Sequence, residues 1–93
     1  MVFEVMLHPE AVKFLRRLDK KKRDNITNSL RMLGEDPFTR RPKADIKKLK
    51  GTKGRRDLYR IRIAQHRVIY SVEEEIVWVT DIFLRGRGYK SVF

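Results

Sequence analysis

The stretch Leu58 to Val72, LYRIRIAQHRVIYSV, leaves a short chain few ways to fold. Two runs rich in β-branched and aromatic residues, Leu58–Ile63 and Arg67–Val72, flank Ala64-Gln65-His66. A connection of that length joins two strands as an antiparallel hairpin. Side chains alternate along a strand, so Tyr59, Ile61 and Ile63 take one face while Arg60 and Arg62 take the other. Residues two apart on a strand sit about 6.6 to 7 Å from each other. At that spacing two guanidinium groups each engage a different phosphate of one nucleic-acid strand, with a bidentate geometry that lysine lacks. Arg67 enters the second strand close by. The reading is a hairpin with one basic face, held in place by the rest of the chain.

The charge balance points the same way. The chain carries a net charge of +11, and the window from Arg40 to Arg67 holds twelve basic residues against Asp45 and Asp57. Ten of the eleven net charges therefore sit in that window, where an even scatter would indicate plain solvation. Such a field attracts polyanions and speeds their arrival, which favours nucleic acid as the ligand. At 93 residues the expectation is one domain spanning 1–93. No apolar run approaches the ~20 residues of a membrane span, and Glu4 and His8 break the first apolar stretch, so neither membrane nor secretory targeting is expected. Cysteine is absent and the two histidines are far apart, so no disulfide and no metal site are expected, and the cytoplasm is the expected compartment. No cofactor signature is present. The GTKG turn lacks the Gly-x-x-x-x-Gly-Lys-Ser/Thr of a phosphate-binding loop.

Val2 to Leu7 reads as a short strand with Phe3, Val5 and Leu7 on one face. His8-Pro9 ends it and opens a helix, since proline suits a first helical turn. Ala11, Phe14, Leu15 and Leu18 then form one apolar stripe. Lys20 to Lys22 read as a basic connector, and Asp24 as the cap of a second helix carrying Ile26, Leu30 and Leu33. Gly34 and Pro37 read as its stop. Glu35 to Asp45 is a polar loop, expected to be the most mobile segment. Ile46 to Lys50 is a strand with Lys47, Lys48 and Lys50 on it. Ile76 to Leu84, almost wholly apolar, suits a central strand buried on both faces. Tyr70 and Trp78 are expected in the core, and His66 in a turn. The order β-α-α-β-β-β-β gives an α+β domain, with an N-terminal strand and an antiparallel helical hairpin packed on a mostly antiparallel twisted sheet.

The residues that can carry chemistry are basic and aromatic: Arg60, Arg62 and Arg67 on the hairpin, then Arg85, Arg87 and Tyr89 in the terminal RGRGYK. Arginines hold phosphates and stabilise the added charge of a pentacoordinate phosphorane. Aromatic rings stack on unstacked bases.

The segments LKGTKGRRDLYRIRIAQHRVIYSV and RGRGYK resemble the RelE/ParE toxin superfamily, most closely the archaeal RelE-like toxins. The resemblance spans nearly the whole chain. It implies a RelE-like fold and a toxin of a type II toxin–antitoxin pair: a ribosome-dependent endoribonuclease that cleaves mRNA in the A site, the RNA's own 2′-OH attacking the adjacent phosphate. The implied partners are a RelB-like antitoxin, the ribosome and mRNA. Carried over residue by residue, the implied catalytic set is Arg60, Arg62, Arg67, Arg85 and Tyr89. Lys48, Lys50, Lys53, Arg55, Arg56, Arg87 and Lys90 are the expected further RNA contacts. Some relatives carry lysines at the positions of Arg60 and Arg62, one of them proposed as general base. An arginine is a poor base at neutral pH, which leaves His66, Lys50 or Tyr89 as alternatives, or catalysis by positioning alone. The ParE branch implies a different activity, a non-catalytic topoisomerase poison.

Overall fold

A computed structural model describes residues 2–42, 44–49 and 57–84. The chain runs β1 (Glu4–Leu7), α1 (Pro9–Arg17), α2 (Lys20–Glu35), β2 (Asp45–Leu49), β3 (Leu58–Ile63), β4 (His66–Glu73) and β5 (Ile76–Leu84). The strands form one sheet in the order β1-β5-β4-β3-β2. Only the β1–β5 pair among these is parallel; the β2–β3, β3–β4 and β4–β5 pairs are antiparallel. The expected α+β fold and element order are those observed.

Both helices lie on one face of the sheet, where the core forms. Ala11, Leu15, Ile26, Leu30 and Leu33 from the helices pack with Ile61, Ile63, Val68, Tyr70, Val77, Val79 and Ile82 from the strands. His8 caps α1, its Nδ1 accepting from the Glu10 N–H at 3.1 Å, with Pro9 in the first turn. The second helix begins earlier than its periodicity suggests. Asp19, not Asp24, is the cap: its Oδ1 accepts the Lys22 N–H at 2.9 Å, so the basic run Lys20–Lys22 forms the first turn rather than a connector. Asp24 instead pairs with Lys20 one turn back at 2.8 Å, a bond that lowers its carboxyl below the usual range.

Gly34 is likewise not a stop but a buried residue inside α2. A Cβ there would lie 3.1 Å from the Phe3 carbonyl oxygen, and the Phe3 N–H donates to the Gly34 carbonyl at 2.6 Å. Glycine lets the helix backbone touch the chain entering β1. The helix ends at Asp36 and Pro37.

The loop that follows is pinned. Asp36 Oδ1 accepts from the Phe38 and Thr39 N–H groups, and Arg41 donates to the carbonyls of Met32, Asp36 and Thr39. The Thr39 hydroxyl, then the Phe38 and Thr39 N–H groups, hold the Asp36 carboxyl below its ordinary value. The fully buried Tyr70 donates its hydroxyl proton to the Pro37 carbonyl at 2.7 Å, and burial drives its pKa far up. Phe3, Phe38, Tyr59 and Tyr70 make successive ring contacts of 5.6 to 5.9 Å from the chain entering β1 through this loop to the hairpin.

Two irregularities matter for the site. The β3–β4 turn is only Ala64-Gln65, since His66 already pairs with Ile63, and Ala64 holds a left-handed φ of 54°. In β5 the register against β4 slips between Ile69 and Tyr70, leaving Thr80 as an extra residue whose hydroxyl reaches the Ile69 carbonyl at 3.3 Å. Val77 and Val79 face the helices before the bulge and Ile82 after it, which turns Asp81 and Phe83 onto the opposite face. Trp78 does not join the core: it is 37% exposed on that opposite face, beside Met6 of β1. Among the described residues no helix is long and apolar enough to cross a membrane.

Candidate nucleic-acid interface

The sheet face away from the helices is where the hairpin arginines converge. Cross-strand partners in an antiparallel pair share a face, and Arg62 stands directly opposite Arg67 while Arg60 stands opposite Ile69. On the other side of β3, Arg60 faces Lys47 and Arg62 faces Asp45. Beyond β4, Ile69 faces Asp81 and Arg67 faces Phe83. A patch of three arginines, a lysine and two carboxylates therefore spans four adjacent strands. Ile69 and Phe83 are buried beneath it, outside the helix-side core.

Asp45 ties the patch together. Its Oδ1 lies 3.7 Å from Arg60 Nη2 and 3.5 Å from Arg40 Nε, and its Oδ2 lies 3.8 Å from Arg62 Nε. The two strand arginines differ sharply in solvent access: the Arg60 side chain is 7% exposed and the Arg62 side chain 42%. A buried guanidinium costs several kcal/mol of lost hydration unless anions offset it, and Asp45 is one such anion. Arg62, by contrast, reaches solvent.

The remaining candidates distribute as follows. Lys48 lies opposite Tyr59, on the face away from the arginines, and its Nζ pairs with Asp57 at 3.0 Å. The Asp57 hydrogen bond raises its pKa. Lys47, which the sequence reading left out of the candidate set, is the lysine of β2 that shares the arginine face. His66 is not a turn residue but the first of β4, and it points to the helix side, edge-on to Phe14 at a centroid distance of 5.7 Å. It is 5% exposed; burial first, then the Lys22 charge, lowers its pKa. A base on the arginine face cannot be His66, because the sheet separates them. Arg85, Tyr89, Lys50, Lys53, Arg55, Arg56, Arg87 and Lys90 lie outside the described residues. Among the described residues no group of three or more His, Asp or Glu is arranged to hold a metal ion.

Asp45 was missed for a physical reason. It reads as the last residue of a polar loop, and only the β2–β3 register reveals that it opens a strand opposite Arg62.

Residues 5–89 match the profile of the family described as the ParE toxin of type II toxin–antitoxin systems, parDE. The chain belongs to that toxin family. Across 98% of its length it is 31% identical to the candidate toxin RelE1 of Methanocaldococcus jannaschii, covering 99% of that protein. Its fold superposes with a TM-score of 0.79 on the archaeal RelE–RelB complex of Pyrococcus horikoshii, at 36% identity over 95% of this chain and 100% of the other. The Escherichia coli RelBE complex shares the fold, with a TM-score of 0.65 at 22% identity over 91% of this chain and 99% of that one. The RelE/ParE toxin relationship read from the hairpin and tail motifs is thus the one found.

Proposed function

We propose that this toxin is a ribosome-dependent endoribonuclease that cleaves mRNA in the A site. The observation that carries the reading is the convergence of Arg60, Arg62 and Arg67 on one open sheet face, in a chain 36% identical to a solved archaeal RelE. On this reading Arg62 and Arg67 grip the scissile phosphate. The 2′-OH attacks the neighbouring phosphorus and gives up its proton to water, the bond from phosphorus to the 5′-oxygen breaks and that oxygen takes up a proton, and the charge gathering on the nonbridging oxygens is met by fixed guanidinium groups, which need no reorganisation at that moment. Arg60, held under the surface beside Asp45, sets the field and the geometry. Arginine is no proton acceptor at neutral pH, so in-line alignment on the ribosome supplies much of the rate. Arg85 assists the leaving group and Tyr89 stacks on a base, with Lys47 joining Lys50, Lys53, Arg55, Arg56, Arg87 and Lys90 along the RNA backbone. The reaction needs no cofactor.

The partner is a RelB-like antitoxin, consistent with the RelE–RelB complexes of similar fold. The arginine patch asks for an acidic segment, and exposed Met6 and Trp78 on the same face ask for apolar side chains. Primer extension on translating ribosomes tests the activity: cuts within the A-site codon are expected, and intact message would refute it. The family description names ParE, which favours a second reading as a topoisomerase poison. That reading requires DNA-damage signalling on expression, with message left whole.

A further inference from the structure

We propose that Asp45 is a built-in occupant of the phosphate site, an internal anion seated between Arg60 and Arg62 that an RNA phosphate must displace. The inference rests on the reading of this face as the RNA site and concerns how that site is regulated.

A carboxylate and a phosphodiester offer a guanidinium the same thing, two acceptor oxygens carrying negative charge. The Asp45 oxygens divide between arginines, Oδ1 toward Arg60 and Arg40 and Oδ2 toward Arg62. None of these contacts is shorter than 3.5 Å, so they are loose ion pairs rather than tight hydrogen bonds. A phosphate that closes to the 2.7–2.9 Å typical of charge-assisted bonds outcompetes them. The displaced carboxylate has somewhere to go. Arg40 stands at 3.5 Å with its side chain 75% exposed, and it retains the aspartate once Arg62 turns to the ligand. Displacement needs only side-chain rotation, because Asp45 and Arg62 are held opposite each other by the backbone ladder. The internal anion also raises the threshold for occupancy. A ligand presenting one weak charge gains little by replacing it, whereas a nucleic-acid strand engages Arg62 and Arg67 together.

The test is fluorescence-anisotropy titration of a labelled 2′-O-methyl single-stranded RNA, over a salt series, with wild-type, Asp45→Asn and Asp45→Glu chains. Each exposed pair is worth a factor of about 1.5 to 5. Asp45→Asn should therefore bind about three-fold or more tightly at low salt, with Asp45→Glu close to wild type. Because Arg62 meets a phosphate in both complexes once Asp45 is displaced, the slope of log K on log salt should stay near that of the wild type. Affinity in Asp45→Asn that is unchanged or weaker overturns the proposal and leaves Asp45 a structural ion pair. Absence of RNA binding by the wild type overturns it as well. Should the asparagine chain fail to fold, the wild type decides alone. In NMR titration with the same RNA, the Arg62 Nε–H and the Asp45 carboxyl carbon should move together. An Arg62 shift with a static Asp45 excludes displacement. Primer extension with the same chains separates this inference from the ribonuclease reading. Tighter binding by Asp45→Asn without message cleavage upholds the first and ends the second; cleavage without tighter binding does the reverse.

Discussion

At the scale of single residues, the arginine face makes demands that differ by position. Arg67 sits opposite Arg62 and carries no share of the helix-side core. Arg67→Ala should thus fold with a melting temperature near wild type while cleavage on ribosomes falls by about 10²- to 10³-fold, the usual loss for one preorganised charge donor. Retained growth arrest in that variant would contradict its role. His66 supplies a test of the opposite face. Its pKa is lowered in the fold, chiefly by burial, relative to about 6.5 in the unfolded chain. The unfolded state then binds more protons as pH drops through that value, so the stabilisation present above it is lost on acidification. Urea midpoints should fall between pH 7.5 and 5.5, and His66→Gln should flatten that part of the profile without altering cleavage at neutral pH.

At the scale of elements, local pattern and tertiary contact competed, and contact won at identifiable places. The alternating run of β3 and the almost wholly apolar run of β5 were readable to their ends because strand propensity and turn residues agree there, although Trp78 keeps β5 from being buried on both faces. The start of α2 was not. The apolar periodicity pointed to Asp24 as the cap, and only the Asp19 Oδ1 to Lys22 N–H bond shows that the helix begins a turn earlier. Gly34 read as a helix stop because its true reason, a Phe3 carbonyl that would lie 3.1 Å from any added Cβ, involves a residue thirty-one positions away. Gly34→Ala is accordingly expected to destabilise the chain by roughly 1 kcal/mol in chemical denaturation, instead of the gain of about 1 kcal/mol that helix propensity alone would give. The tether between the 36–44 loop and β4 was equally hidden. Tyr70→Phe deletes only the hydroxyl that meets Pro37, and should cost about 1 to 3 kcal/mol, because the carbonyl it leaves loses a buried partner. The β5 bulge leaves no mark in the sequence, yet it decides that Asp81 and Phe83 share a face with Arg67.

For the molecule as a whole, charge and fold divide the work. The helix side of the sheet supplies stability, which leaves the other side free to collect like charges that would be costly in a core. Phosphate contacts on this face set the slope of log K on log salt for single-stranded RNA, about 0.7 per contact. Arg62→Ala should shallow it by one such step in the same titration. Lys48→Ala, on the far side, should leave it unchanged. The basic hairpin was legible because its alternation and its charge are both local. The partners of that hairpin, Asp45 and Lys47 from one side and Asp81 from the other, depend on pairings that no window of sequence contains.

The parallel seam between β1 and β5 sets a timetable for the nascent chain. Glu4 to Leu7 lie against Ile76 to Val79, so the first strand synthesised waits for the last. Until then Val5 and Leu7 have no strand to lie beside, and a chain stopped at Glu75 keeps an incomplete sheet. A sheet assembled in this order closes only once Val79 has been made, however early Glu4 to Leu7 emerge.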